Sequence, residues 1–480
     1  MTEGNGAPSP EGARTPEELI RLLQRLRAWS ELTYREMEIR AARHGLHLAR
    51  STAAAVLGRG ALPRTGFIRA YVTACGLAPE PWVGARQRIA ASGGGPTAPT
   101  PVTAAVPTQL PGTVADFGGR DIQLAAIASG LAPQGDTAPG VVPLVAVHGT
   151  AGIGKTSLAL HAAHALTDRF ADGQLFIDLH GTGPAPADPL QILVRLLRSV
   201  GTYGPDLPES LEELSALFRT STAGRKLLVV LDDAASERQI QPLLPGAGGP
   251  AVLTTSRCRL PPTSPLRSLT LGPLASEAGV VMLDGILGGK RVAAEPDAAD
   301  EIVALCGRCP LAIRIAGARL VRRPERPLSL MARLLRDERH RLDKLAFGDL
   351  SVRDSIEPSY EALAQPVRRS FRLLGLLQAR TFPAWAAAAL LDCPVEIAEA
   401  HVDALVDIGL LTAVGADGTG RPRYRMHDLV RLYARERATA EEPAGLREAA
   451  LGRASRCEGS SDTSRDDSQR WFSRWSRLSS

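Results

Sequence analysis

Residues 141–149 form an apolar run, VVPLVAVHG, that leads into Gly149-Thr-Ala-Gly152-Ile153-Gly154-Lys155-Thr156 and then into the helix-forming stretch SLALHAAHAL. No other feature constrains the fold as tightly, because Gly-x-x-x-x-Gly-Lys-Thr at such a junction works as the turn from a buried strand into a helix. The glycines let consecutive backbone N–H groups curl around phosphate oxygens, and the helix start adds the positive end of its dipole. The spacing assigns Gly149, Gly152, Ile153, Gly154 and Ser157 to a phosphate cradle, Lys155 to the β and γ phosphates of a nucleotide, and the Thr156 hydroxyl to Mg²⁺. A Gly-rich turn with a chance Lys-Thr is the alternative, and the flanking strand and helix argue against it.

Strand and helix signals keep alternating after this loop: a helix from Lys155 to about 166, GQLFIDLHG (173–181), a helix around 190–200, KLLVVLDD (226–233) and PAVLTTSR (250–257). Short apolar runs separated by helices predict a parallel sheet wound on both faces. From about 274 the pattern is helical, except for a hairpin predicted around the Gly-rich turn in LTAVGADGTGRPRYRM, 411–426. The predicted class is an α/β P-loop parallel-sheet domain with flanking all-α domains. Hydrophobic residues at 44% and aromatics at 4% mean that its cores are built from Leu, Ala and Val.

A Mg²⁺ partner is expected at another strand end, and LLVVL followed by Asp232 and Asp233 supplies two carboxylates there. We assign Asp232 to the metal, through water, and Asp233 to orienting or deprotonating an attacking water. Acids at a strand end also cap helices, so the assignment leans on the P-loop. The next strand ends at Arg257, placed to approach a γ-phosphate or else to sit on the surface. Cys306 and Cys309 have the spacing of a redox dithiol or half a zinc site, but no second pair follows to complete four ligands, which favours a packing role.

The N-terminal part differs in charge. Residues 14–90 hold thirteen Arg and six Glu with no Lys or Asp, more positive than the whole chain at +5. Such a module suits a polyanion, with duplex DNA the first candidate. Helices are predicted over about 16–29, 33–44, 51–57 and 65–75, the first two opened by Thr15 and Thr33 as caps. Residues 1–13 read as disordered, and 91–114, without a charged residue and rich in Pro, Gly and Thr, as a linker. From about 438 the chain loses helical periodicity and ends in a Ser- and Arg-rich tail predicted to be disordered. No stretch has the apolar length to cross a bilayer and no leader pattern opens the chain, so a cytoplasmic location is expected, with no membrane partner.

Three further motifs carry a family resemblance. Phe117-Gly118-Gly119-Arg120 precedes the first strand, Cys306-Gly-Arg-Cys309-Pro310-Leu311-Ala312 follows the sheet, and Tyr424-Arg425-Met426-His427-Asp428-Leu429 follows the hairpin. With the P-loop and Asp232-Asp233, they make residues 115–437 resemble the NB-ARC group of STAND ATPases. The resemblance implies a nucleotide-binding domain over 115–272, a small helical domain over 273–345 and a winged helix over 346–437. It implies adenine contact by Gly119 and Arg120, packing of Pro310 on the base, and a bond from His427 to the β-phosphate of ADP, with Asp428 capping the next helix. Cys309 stands where the family usually has an aliphatic residue.

The N-terminal module is similar to an Xre-type helix-turn-helix. The similarity places Arg50, Ser51 and Thr52 at base edges and Arg43, Arg59 and Arg64 on the phosphate backbone. The implied protein is a transcriptional regulator closed with ADP, opened by ATP for self-association, and reset by slow ATP hydrolysis. No repeat of 30 to 45 residues is present, so a separate sensor or effector protein is expected. The competing readings are a signalling or defence scaffold whose N-terminal module binds protein, and an ATP-driven motor.

Overall fold

The strand that precedes the P-loop, β1 (Leu144–His148), lies inside a five-stranded sheet with β2 (Gly173–Asp178), β3 (Leu227–Ala234), β4 (Ala251–Ser256) and β5 (Leu266–Thr270). All the pairings are parallel, as the alternation of strands and helices predicts, and the order is β2-β3-β4-β1-β5. β4 therefore separates β1 from β3, and its end stands between the P-loop and the acidic pair. The computed structural model describes residues 7–44, 46, 48, 56–57, 62–92, 106–132, 140–183, 185–203, 207–260, 266–379, 381–418 and 420–458. Its contacts divide the chain into Met1–Ala105 with Gly201–Glu209, and Val106–Val200 with Ser210–Ser480.

In the first unit the helices Pro16–Ser30 and Tyr34–Arg43 open with capping boxes, Thr15 with Glu18 and Thr33 with Glu36. With Thr65–Ala74 they bury Leu19, Leu23, Met37, Ile68 and Tyr71. A helix not expected from the sequence, Glu80–Ser92, adds Trp82 and Ile89 to that core. Order begins slightly before the expected 14, since Ala13 is buried and its N–H donates to the Pro10 carbonyl at 3.2 Å. Of the helix predicted over 51–57, only 56 and 57 are described, and both are helical. Residues 50, 51, 52 and 59 lie outside the described residues.

In the second unit Lys155–Ala165 and Pro189–Ser199 match the expected helices, while β5 and the helix Leu211–Thr222 carried no clear signal of their own. Helices Ser276–Leu287, Pro296–Leu305, Pro310–Val321 and Leu328–Arg336 follow the sheet. Then come the short pair β6 (Ala346–Phe347) and β7 (Leu350–Ser351) and the helices Val352–Glu361 and Gln365–Leu374. A three-stranded sheet follows, in which β10 (Pro422–Arg425) lies between β8 (Phe382–Pro383) and β9 (Thr412–Ala416). β9 and β10 are the expected hairpin. One apolar core runs from Leu274 to Ala454, continuous across the boundary expected at 345.

The disorder expected from 438 is a correction. The helix Asp428–Glu441 passes through that point, and Ala444–Glu458 follows it. Ala450 and Ala454, one helical turn apart, are buried, and Arg453 donates to the carbonyls of Ala389 (2.9 Å) and Leu390 (2.7 Å). Small alanines make a weak periodic signal, and the polar composition around them hid it. Residues 459–480 lie outside the described ones. Among the described residues no helix is long and apolar enough to cross a membrane.

Candidate nucleotide-binding site

The loop after β1 takes its shape from its glycines. Gly152 and Gly154 have φ of +72° and +96°, a region that L side chains avoid. A Cβ on Gly152 would also stand 3.0 Å from Leu311 and 3.3 Å from the Cys309 sulfur. At the head of the following helix, Lys155 is buried and its Nζ donates to the carbonyls of Gly149 (2.8 Å) and Thr150 (3.1 Å). Burial, with Arg257 adding repulsion, lowers its pKa from 10.5 to about 8.

The acidic strand end is shaped by a bulge. Leu231 pairs with Thr254 and Ala234 with Ser256, so one extra residue of β3 is accommodated, and Asp233 takes φ +51°. Asp232 turns toward the P-loop, where its carboxylate accepts from the Thr156 hydroxyl at 2.9 and 3.0 Å and from the Thr255 hydroxyl at 2.5 Å. Burial pushes the Asp232 carboxyl up, opposed by these two hydroxyl donors. A buried carboxylate beside a threonine hydroxyl is a hard oxygen donor set that fits Mg²⁺, and a cation there would favour the ionised form. Asp233 turns the other way, into the cavity, with its Oδ2 accepting from the Thr182 N–H (2.9 Å) and hydroxyl (2.8 Å).

Arg257 is half-buried at the end of β4 and also lines the cavity. Its guanidinium donates to the Ser355 carbonyl (2.6 Å), the Ser359 hydroxyl (3.0 Å) and the Thr182 hydroxyl (3.3 Å). It is therefore neither an ordinary surface arginine nor committed to the cavity alone, since it ties the sheet to the helix Val352–Glu361.

Asp233 and Arg257 face a cavity of about 340 Å³, which Gly152 through Ser157 also line; Gly149, Gly119 and Asp232 stand behind its surface and do not line it. Its opposite wall comes from the segment before the sheet and from the helical part. Gly118, Arg120 and Pro310 are there as the motifs suggest. Arg120 is buried and donates to the carbonyls of Gly272 (2.8 Å) and Ile153 (3.3 Å). Gly119 has a packing role as well: at φ +67° a Cβ would stand 2.3 Å from that of Ala278. The Gly152 carbonyl accepts from the Leu311 N–H (3.2 Å) and from the Cys309 thiol (3.3 Å), which fastens the helical wall to the P-loop. Cys306 and Cys309 are both buried, and burial pushes both thiols up, as packing residues require.

His427 does not line this cavity. Its Nδ1 accepts from the Leu429 N–H (3.3 Å), leaving the proton on Nε2, which donates to the Gly307 carbonyl at 2.9 Å. Burial lowers its pKa and keeps that neutral tautomer. That bond holds His427 to the turn three residues before Pro310. The cap expected of Asp428 is corrected: His427 is the capping residue, and Asp428 is the first residue of the helix.

Sequence reasoning missed several lining residues. Arg314 forms a two-pronged pair with Asp116, at 2.6 and 3.1 Å. The two lie far apart in the chain, and no local pattern announces the pair. Phe117 stacks on His161 with centroids 3.8 Å apart. Thr182 and Thr255, the latter in a motif already singled out for its arginine, complete the acidic side. Of the residues expected on DNA, Arg43 and Arg64 are exposed, at the end of one helix and the start of another.

No family model matches the chain. Over 349 residues it is 44% identical to the regulatory protein AfsR of Streptomyces griseus, which covers 72% of this chain and 35% of the relative. Over 351 residues it is 43% identical to AfsR of Streptomyces coelicolor, covering 73% and 35%. The chain spans about a third of the length of these curated relatives. Among solved structures, a STAND protein with a tetratricopeptide repeat sensor from Pyrococcus horikoshii has a TM-score of 0.32 at 20% identity, over 75% of this chain and 48% of its own. The ORC2 protein of Aeropyrum pernix gives 0.41 at 16%, over 73% and 97%. A Walker-type ATPase of Pyrococcus abyssi gives 0.44 at 14%, over 68% and 98%. Likenesses this distant add no weight to the geometry above.

Proposed function

We propose that this chain is a cytoplasmic regulator switched by ADP and ATP with Mg²⁺, and that its N-terminal module binds duplex DNA. The observation that carries this reading is the double anchorage of Gly152, whose carbonyl holds both Leu311 and Cys309. A phosphate group entering the loop meets N–H groups whose neighbours already support the helical wall, so occupancy and domain closure are linked. A ligand can shift such an equilibrium only by its differential affinity for the two states. Similarity to a regulatory protein over 349 residues supports the same class of function.

In this reading Thr156 and Asp232 hold Mg²⁺, Lys155 and the loop N–H groups hold the phosphates, and Pro310 packs on the base. Bound Mg²⁺ supplies charge neutralisation for phosphoryl transfer. Asp233, braced by Thr182, orients the attacking water, and Arg257 exchanges Ser355 and Ser359 for the γ-phosphate. Hydrolysis is slow and acts as a timer. ADP holds the closed form, and ATP favours an open form that self-associates and answers to a separate sensor or effector protein. Arg43, Arg59 and Arg64 hold the DNA backbone and Arg50, Ser51 and Thr52 read the bases; of these, Arg43 and Arg64 are exposed.

The test is the nucleotide content of protein purified without added nucleotide. Near-stoichiometric ADP is expected. A nucleotide-free protein that binds neither ADP nor ATP refutes the switch. DNA binding by the full chain should weaken steeply between low and moderate salt, and absence of binding at low salt to any duplex refutes the DNA assignment.

A further inference from the structure

The helix Pro310–Val321 has its first turn at the P-loop, and its last turn opens on a different cavity, of about 250 Å³. We propose that this second cavity is a binding site for a phosphorylated small molecule, separate from the P-loop site. Five cationic side chains line it, Arg319, Arg322, Arg323, Arg326 and Lys344, and no acidic residue does. Among the described residues none of the five is in an ion pair, although arginines elsewhere in this unit, such as Arg314, Arg353 and Arg372, are paired with carboxylates. Like charges gathered around one concavity raise the local potential and concentrate anions there.

The arginines are held in place by bonds that leave this charge uncompensated. Arg291 donates to the carbonyls of Leu320 (2.8 Å) and Arg326 (2.6 Å) and so clamps both ends of the turn that carries Arg322, Arg323 and Arg326. Inside the turn the Arg323 N–H donates to Leu320 and the Arg326 N–H to Arg323, at 3.2 and 3.1 Å. Arg319 donates to the Ala346 carbonyl at 2.7 Å, which fixes β6 and places Phe347 at the cavity. The Arg322 guanidinium lies 5.8 Å from the centre of the Phe347 ring.

Ligand chemistry follows from this combination. One carboxylate would leave most of the positive charge unmatched, whereas a diphosphate presents several oxygens to forked guanidinium donors. The buried Leu320 and Met331 and the half-buried Leu330, Leu334 and Phe347 form an apolar floor for the rest of the ligand. A concave site with such a floor fits a small molecule better than a duplex backbone, which is bound largely through phosphate and sugar contacts.

The test titrates the full chain carrying Lys155→Ala, so that the P-loop contributes little, with inorganic pyrophosphate, with GDP and with a short DNA duplex. The same titrations follow on that chain with Arg322→Gln and Arg323→Gln added; both arginines are exposed, and a thermal melt verifies folding. Pyrophosphate and GDP should bind, and the added pair should weaken both by about tenfold or more. Tighter binding of GDP than of pyrophosphate shows that the apolar floor is used, and equal binding shows that the phosphates suffice; both support the site. Absence of binding, equal affinity with and without the two arginines, or a loss confined to the duplex overturns the proposal. If the double variant melts at a lower temperature, Arg323→Lys is the second variant: it keeps the charge but loses the fork, so pyrophosphate binding should weaken by about threefold or more with the melt unchanged, and unchanged binding overturns the proposal.

Discussion

The two walls of the P-loop cavity are held by different kinds of bond. On the sheet side, side chains bind side chains: Thr156, on the first turn of the helix Lys155–Ala165, and Thr255, on β4, both hold Asp232, and Thr182 holds Asp233. On the helical side, the donors reach mainly backbone carbonyls: Leu311 and Cys309 at Gly152, Arg257 at Ser355, and His427 at Gly307. A network with two or three partners per carboxylate is rigid and costly to break, while a wall attached at separate carbonyls gives up about 1 kcal/mol with each bond. The sheet wall is suited to holding phosphate and metal, the helical wall to reporting that they are held.

Substitutions can break that contrast in order of size. Lys155→Ala removes the buried cation of the sheet wall, and ADP affinity should fall by about a hundredfold or more. Retention of stoichiometric ADP in this variant, measured after purification, would remove the lysine from the phosphate site. Asp232→Asn should weaken Mg²⁺-dependent ATP binding by about thirtyfold while leaving Mg²⁺-free ADP binding within about threefold, because the metal and not the base depends on that carboxylate. Equal losses with and without Mg²⁺ would make Asp232 a purely structural residue.

His427→Ala tests the other wall. It frees the Gly307 carbonyl and uncaps the helix Asp428–Glu441, and ADP release should quicken by about tenfold with a larger self-associated fraction. Unchanged release and an unchanged sedimentation profile would mean that the helical wall does not report. A pH series sharpens the comparison further. Lys155 is held at about pKa 8 by burial, and phosphate requires its ammonium form. Binding near pH 8 should therefore take up about half a proton, and affinity should fall as pH rises above 8. Calorimetry in buffers of different ionisation enthalpy measures the uptake, and none would show that the lysine is already fully charged. The smallest effect is expected for Cys309→Ala. A thiol is a weak donor and the Leu311 N–H still holds Gly152, so ADP affinity should change by no more than about twofold.

The order of the motifs was legible because each is local. A strand, a Gly-rich loop and a helix lie in one stretch of chain, so the cradle from Gly149 to Ser157 follows from adjacent residues. Asp232 was legible for the same reason, at the end of an unbroken apolar run. Its orientation was not. That Asp232 faces Thr156 while Asp233 faces Thr182 depends on a bulge between β3 and β4, strands joined through other elements. The helix Ala444–Glu458 was missed because alanine is both a helix former and a weak marker of burial, and only its partner Ala384–Leu391 shows that the alanines are covered.

Sequence alone determined the α/β class, the glycine-rich turn from strand to helix and the uneven distribution of charge, since each rests on neighbouring residues or on composition. Tertiary structure alone decided which distant groups meet. Arg314 finds Asp116, Arg257 finds Ser355 and Ser359, and five cations separated by other side chains converge on one cavity. His427 was singled out in the chain, but its partner is the Gly307 carbonyl, because the fold brings that turn within 2.9 Å and burial keeps the ring neutral with its proton on Nε2. A backbone carbonyl has no identity in a sequence, so contacts of this kind become visible only when packing sets the distance and direction of the bond.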